Sequence, residues 1–224
     1  MAQHLDLEEQ EQLDQVKHFW KQYGNLITWL LIVVLAAYAG WNGYNYWQRS
    51  QAAQAAAMYD EVERAAQSGD VARVERAFTD MKDKFGGTAY AQQAGLLVGK
   101  VLYDKGSIDP AKAALTWVAE KSSDDGYQAV ARLRLAGVLL DAKAYDDALK
   151  QLSGSFPKDF EPLAADRRGD IFAAQGKKTE AVAEYTKAFK GLDDRADYRR
   201  LVEVKLSALG VDPLAAGTPP ETKK

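Results

Sequence analysis

The chain has 224 residues, no cysteine, two histidines and a formal net charge of −3, with 47% hydrophobic and 27% charged side chains. The lack of thiols excludes disulfides, thiolate nucleophiles, cysteine-ligated zinc and a lipid-modified cysteine. The near balance of charge provides no field of the kind that draws a protein to nucleic acid.

Residues 1–24 read as an acidic tail: Asp6, Glu8, Glu9, Glu11 and Asp14 stand against Lys17 and Lys21. Leu13, Val16, Trp20 and Tyr23 follow helical spacing, which predicts an interfacial helix running into the next segment. Binding of a partner through its acidic side is the alternative.

From Gln22 to Gln48 there are 27 residues without a formal charge. As a helix this run is about 40 Å long, enough for the hydrocarbon core of a bilayer and part of both interfaces. Its centre holds Leu26, Ile27, Trp29, Leu30, Leu31, Ile32, Val33, Val34 and Leu35, and aromatic residues flank it, with Trp20 before and Trp41 and Trp47 after. Such rings favour the headgroup level. The run predicts a transmembrane anchor over 25–48. One rival is a buried helix of a soluble domain. Another is a signal peptide cut after Ala37-Tyr38-Ala39, which fits poorly with an acidic start. Lys17 and Lys21 against Arg49 give a small positive-inside bias, so the expected orientation puts the N-terminus in the cytoplasm and the C-terminal part outside it.

After Ser50 helical periodicity dominates and strand signals are scarce. Breakers at Gly69, Gly86-Gly87, Gly106, Ser122-to-Gly126, Gly154, Gly176 and Gly191 separate short helices, read as pairs at 52–67 with 71–84, 88–105 with 109–121, 127–142 with 145–152, and 162–175 with 178–190. A last helix is expected at 195–209, capping the stack, with Arg195, Arg199 and Lys205 keeping its outer side wet. One spacing recurs. Gly169, Phe172, Ala181, Tyr185 and Ala188 match the offsets of a tetratricopeptide repeat, in which a small residue lets two helices approach and an alanine faces it from the second helix. Ala136, Leu139, Ala148 and Leu152 repeat the first four, as do Gly99, Leu102, Ala111 and Leu115; Val74 and Phe78 stand in a degenerate first pair. A lone hairpin cannot bury its apolar face, so such units stack. The expected fold class is therefore all-α. A single N-terminal transmembrane helix precedes a tetratricopeptide-like α-solenoid of about four helical hairpins over 50–209, plus a C-terminal capping helix. Residues 210–224, with three prolines, read as a disordered tail.

Both histidines, His4 and His18, precede the apolar run, so imidazole chemistry is excluded from the repeats. There is no phosphate loop or metalloprotease pair. Asp124-Asp125-Gly126 reads as a solvated turn and Asp109 before Pro110 as a helix start. No catalytic residue, metal or cofactor is expected. Arg132, Arg134, Arg167 and Arg168 sit at matching stages of two successive first helices, which line the inner surface of this repeat type. They form a possible partner groove for acidic or C-terminal carboxylate groups, against ion pairing with neighbours such as Asp166 and Asp170. Phe156 to Pro162 is a stiff loop expected to pack a joint between hairpins.

The order of acidic tail, early span with trailing aromatics and divergent repeats resembles the YfgM family of bacteria. So do Val16-Lys17-His18-Phe19-Trp20 with Tyr23-Gly24, Arg132-Leu133-Arg134-Leu135-Ala136, and Ala165-Asp166-Arg167-Arg168-Gly169-Asp170. The resemblance implies a non-catalytic ancillary subunit of the SecYEG translocon in the cell inner membrane, with its repeats in the periplasm. It also implies association with the periplasmic chaperone PpiD, in assistance of protein export. Membrane lipid is the remaining expected partner; nucleic acid and small-molecule substrates are not. A regulatory protein whose cytoplasmic tail binds a signalling partner, and an envelope enzyme or activator of a cell-wall enzyme, are the alternatives.

Overall fold

The computed structural model describes residues 7–193 and 195–212. His4 and most of the proline-bearing tail lie outside them. Among the described residues there is no strand. The helices are α1 (Leu7–Ser68), α2 (Val71–Phe85), α3 (Ala89–Asp104), α4 (Ile108–Lys121), α5 (Asp125–Asp141), α6 (Tyr145–Gln151), α7 (Glu161–Ala174), α8 (Lys178–Gly191) and α9 (Asp197–Ala208). The chain divides into two compact units, Met1–Ala53 and Gln54–Lys224.

The first unit is the greater part of α1. This helix is continuous for 62 residues, so the separate helix expected at 52–67 is its last part. It contains no proline, and its alanine-rich stretch after Gln51 favours continuation. Among the described residues α1 is the one helix long and apolar enough to cross a membrane, and almost none of its apolar window is buried inside the protein. Leu26, Trp29, Leu30, Leu31, Ile32, Val33, Val34, Leu35, Trp41 and Trp47 are all exposed, as is Trp20. A core helix of a soluble domain would bury such a face. Two polar side chains in the run bond to their own helix: Thr28 Oγ1 donates to Gly24 O at 2.8 Å, and Asn42 Nδ2 to Tyr38 O at 3.0 Å. Polar groups satisfied in this way are tolerated in hydrocarbon.

The second unit is a run of helical hairpins. The end of α1 buries Ala55, Val62 and Ala65 in one core with Val74, Phe78 and Met81 of α2. The pairs α3–α4, α5–α6 and α7–α8 follow, and each first helix also neighbours the next, α3 beside α5 and α5 beside α7. Close approach depends on small residues. A Cβ at Gly99 would stand 2.7 Å from the Leu115 side chain, and one at Gly169 would stand 2.5 Å from the Tyr185 ring. Ala111, Leu115, Ala136, Leu139, Ala148, Leu152, Ala181, Tyr185, Ala188 and Leu102 are buried, while Phe172 is half-buried against the last core. Side-chain caps start three helices: Asp70 accepts from Arg73 N, Thr88 from Ala91 N and Asp124 from Tyr127 N. Asp109 lies inside the first turn of α4, where it pairs with Lys112.

One device marks the register. The turn inside each hairpin passes through a left-handed residue: Gly69 (φ 70°), Gly106 (φ 77°), Lys143 (φ 58°) and Gly176 (φ 73°). In the last three the residue after it donates back to the same place on the first helix, Ser107 N to Leu102 O, Ala144 N to Leu139 O and Lys177 N to Phe172 O. This is the six-to-one closure of a Schellman turn. The same turn recurs at the end of α9, with Gly210 at φ 80° and Val211 N donating to Leu206 O. α9 thus ends in the same kind of turn as α3, α5 and α7.

Candidate partner-binding surface

Counting back from each turn aligns the first helices residue by residue. Nine and six positions before the turn stand Asp60 and Glu63 on α1, Leu97 and Lys100 on α3, Arg134 and Gly137 on α5, Arg167 and Asp170 on α7, and Leu201 and Val204 on α9. Contacts tie this stripe into one surface. Gln93 Nε2 donates to Tyr127 Oη at 2.7 Å, Arg134 donates to Leu96 O at 3.0 Å, Tyr103 Oη donates to Asp141, and the Arg167 guanidinium lies over Gly137. Tyr59 and Tyr90 meet at a tilt of 49°, with ring centroids 6.0 Å apart. Burial first, and then the neighbouring Glu63 carboxylate, push the Tyr59 phenol above its ordinary value.

The four arginines singled out by sequence divide into two pairs. Arg132 donates through Nε to Gln151 O at 2.8 Å and through an amino group to Ser155 O at 3.0 Å, and its guanidinium stacks 4.0 Å from the Phe156 ring centroid. Arg168 pairs with Glu184 at 2.7 Å and donates to Leu152 O at 3.1 Å. Both brace the α6–α7 joint, where Phe156 and Pro162 are buried. Burial disfavours the Glu184 charge, but hydrogen bonds from Lys187 and Arg168 outweigh it and hold this carboxyl below the usual range. Arg134 and Arg167 belong to the inner stripe instead. Arg134 is exposed, holds one carbonyl, and among the described residues has no carboxylate within 4.0 Å. Arg167 reaches Asp170 at 3.5 Å.

The last helix differs from its expected form. Lys205 is turned inward, not wet: its ammonium contacts Asp166 at 2.8 Å and Asp170 at 2.6 Å. Arg199 likewise covers the Phe189 ring at 3.9 Å. Tyr198 Oη donates to Asp166 at 2.6 Å and Tyr185 Oη to Asp170 at 2.8 Å. Burial, and then these carboxylates, push both phenols far up. Asp166 is almost fully buried, so its charge needs the bond from Tyr198 and the two from Lys205, one to each carboxylate oxygen. With Tyr198 and Lys205 bonded inward, the outer side of α9 carries Leu201 and Val204 beside the exposed Asp197, Arg200 and Ser207. Among the described residues after Trp47, the exposed large apolar side chains are Tyr198 (37%), Leu201 (46%) and Val204 (65%).

Sequence reasoning missed this clasp because its partners are more than 30 positions apart. It also missed the left-handed Lys143, since the signal searched for was glycine; the step from Gly106 to Gly176 is nearly twice that from Gly69 to Gly106, which pointed to a turn midway between the last two. Among the described residues no group of three or more histidine, aspartate or glutamate side chains is placed to hold a metal.

Comparison with known proteins gives one family and several relatives. A family described as "Tetratricopeptide repeat-like domain" matches residues 17–211. An ancillary SecYEG translocon subunit of Neisseria gonorrhoeae is 34% identical over 213 residues, 93% of this chain and 100% of that protein. The proteins of the same description from Haemophilus influenzae and Escherichia coli K12 are 30% and 26% identical. Those matches cover 81% and 91% of this chain, and 89% and 97% of the relatives.

Proposed function

The chain belongs to the family of ancillary SecYEG translocon subunits, and from that premise we propose that it is a non-catalytic, single-pass scaffold of the inner membrane, held beside the SecYEG channel. The span at 25–48 anchors it, with lipid as its surroundings. The tail at 1–24 is cytoplasmic, and the repeats at 50–209 stand in the periplasm. There they engage a chaperone such as PpiD and assist the export and folding of envelope proteins. The observation that carries this reading is the full-length match: apolar helix and repeats are shared together, not the repeats alone. Tethering suits the task, because a domain confined near the channel exit meets emerging chains at high effective concentration, so individually weak contacts suffice.

The test is made on the full chain in native membranes. Carbonate leaves it in the pellet, reporter fusions place its two ends on opposite sides, and crosslinking links it to SecYEG. Loss of SecYEG from the crosslinked products, with the chain still in the membrane, overturns the translocon reading. Crosslinks confined to residues 1–20 favour the regulatory alternative.

A further inference from the structure

The stack of hairpins has two open ends. Inside it, each first helix after α1 neighbours the second helix of the hairpin before it: α3 with α2, α5 with α4, α7 with α6 and α9 with α8. Among the described residues no hairpin precedes α1 and no helix follows α9. At the first end the last part of α1 and α2 border an open groove of about 650 Å³. Met58, Ala77 and Phe85 line it and also pack against the first core, so they give the groove an apolar floor. Arg73, Asp80 and Lys84 of α2 line it as well, and all three are exposed.

The other end is α9. Asp197, Leu201, Val204 and Ala208 follow one another at steps of four, three and four residues, which sets them on one face of the helix, and Arg200 stands one turn before Val204. All five are exposed. Charges at both ends are unanswered: among the described residues no opposite charge lies within 4.0 Å of Asp80, Lys84, Asp197 or Arg200.

We infer that α9 of one copy of this chain seats in the α1–α2 groove of a second copy, antiparallel to α2, so that the second copy continues the stack. Charge complementarity selects this occupant and its direction. With Val204 placed on Ala77, Asp197 comes level with Lys84, and Arg200 comes level with Asp80 to within about 1.5 Å, the rise of one residue. Run the other way through the same contact, α9 sets Arg200 beside Arg73 and Asp197 beside Asp70, two like-charge pairs. In the favoured direction Leu201 and Val204 are covered by Met58, Ala77 and Phe85, which removes apolar surface from water. The two surfaces differ, so the contact is heterologous: each pair keeps one free groove and one free α9, and further copies add in a row. The inference concerns the repeats alone and does not rest on the translocon reading.

The chain has no cysteine, so introduced thiols report contact between copies without competition from native ones. Two differently tagged full-length copies are made in the same native membranes, one carrying Ala77→Cys and the other Val204→Cys, and treated with a mild oxidant. A disulfide between the two tags is expected, with little linkage when either variant is present alone. A copy carrying both substitutions is expected to give a ladder of higher oligomers. Adding Asp80→Arg to the Ala77→Cys copy should lower the yield about fivefold, and adding Arg200→Asp to the other copy should restore it. All the altered residues are exposed or half-buried, and unchanged helicity and thermal unfolding in detergent verify the fold. Four outcomes overturn the inference: no linkage between the two variants, equal linkage of Val204→Cys to itself, linkage of Ala77→Cys to a different protein in place of the second copy, or no recovery on reversing both charges. Crosslinking to SecYEG is scored in the same membranes. Its absence in the unaltered chain, with the disulfide between copies retained, sinks the scaffold reading alone.

Discussion

The apolar stretch of α1 and the repeat helices use the same residue types to opposite ends. In α1 every large apolar side chain from Leu30 to Leu35 is exposed, whereas in the repeats Leu102, Leu115, Leu152 and Ile171 are fully buried. The difference is one of pattern. A helix apolar on all sides has no wet face to turn outward, so it needs an apolar solvent. The repeat helices carry charges on one side and small residues on the other, so they bury the apolar side against a partner helix. Against this background the exposed Leu201 and Val204 of α9 stand apart as large apolar side chains left uncovered on an otherwise charged helix.

The largest effect should come from breaking the α1 side of the contrast. Leu31→Arg with Val34→Arg costs about 6 kcal/mol of insertion free energy at the middle of a span, so the chain should become extractable by carbonate. Next, Gly169→Leu drives a side chain into the Tyr185 ring and should destabilise the repeats by about 2–3 kcal/mol, seen as a lower thermal midpoint in detergent. An unchanged midpoint would mean that α7 and α8 are not held at this distance.

Acid should then separate the two regions by about 1 kcal/mol, since Glu184 titrates in the repeats while the α1 run carries no charge. Its pKa is held below the ordinary glutamate value, so it binds protons less readily folded than unfolded. Its stabilisation is complete above the unfolded value and lost as pH falls through the folded one. Glu184→Gln should flatten the stability of the repeats as pH falls below the ordinary glutamate value. The smallest effect sharpens the contrast. Lys143→Gly relieves a left-handed non-glycine residue and should raise stability by about 0.5 kcal/mol, despite the entropy a new glycine adds to the unfolded chain. Calorimetry on the full chain would register a slightly higher midpoint.

Much of this architecture was written in local pattern. An uncharged run of membrane length, Ala and Gly at hairpin offsets, and breakers at regular intervals each act within one or two helical turns, so their consequences are readable without coordinates. The continuity of α1 past Gln51 was not, because a charged residue such as Arg49 ends an apolar run without ending a helix. The arginines were legible as a group, but their division was not. Arg132 and Arg168 lie where the α6–α7 joint presents open carbonyls and Glu184, while Arg134 and Arg167 meet only a carbonyl and a carboxylate already shared.

Composition and periodicity alone determined that this chain has one lipid-length helix and a set of short amphipathic ones that must stack. Burial of a whole apolar face follows from spacing, whatever the neighbours are. Only the packed structure decided that Lys205 and Tyr198 turn inward to Asp166 and leave Leu201 and Val204 outside. A buried carboxylate must find partners wherever the chain brings them, and in this protein they arrive from a helix more than 30 residues away.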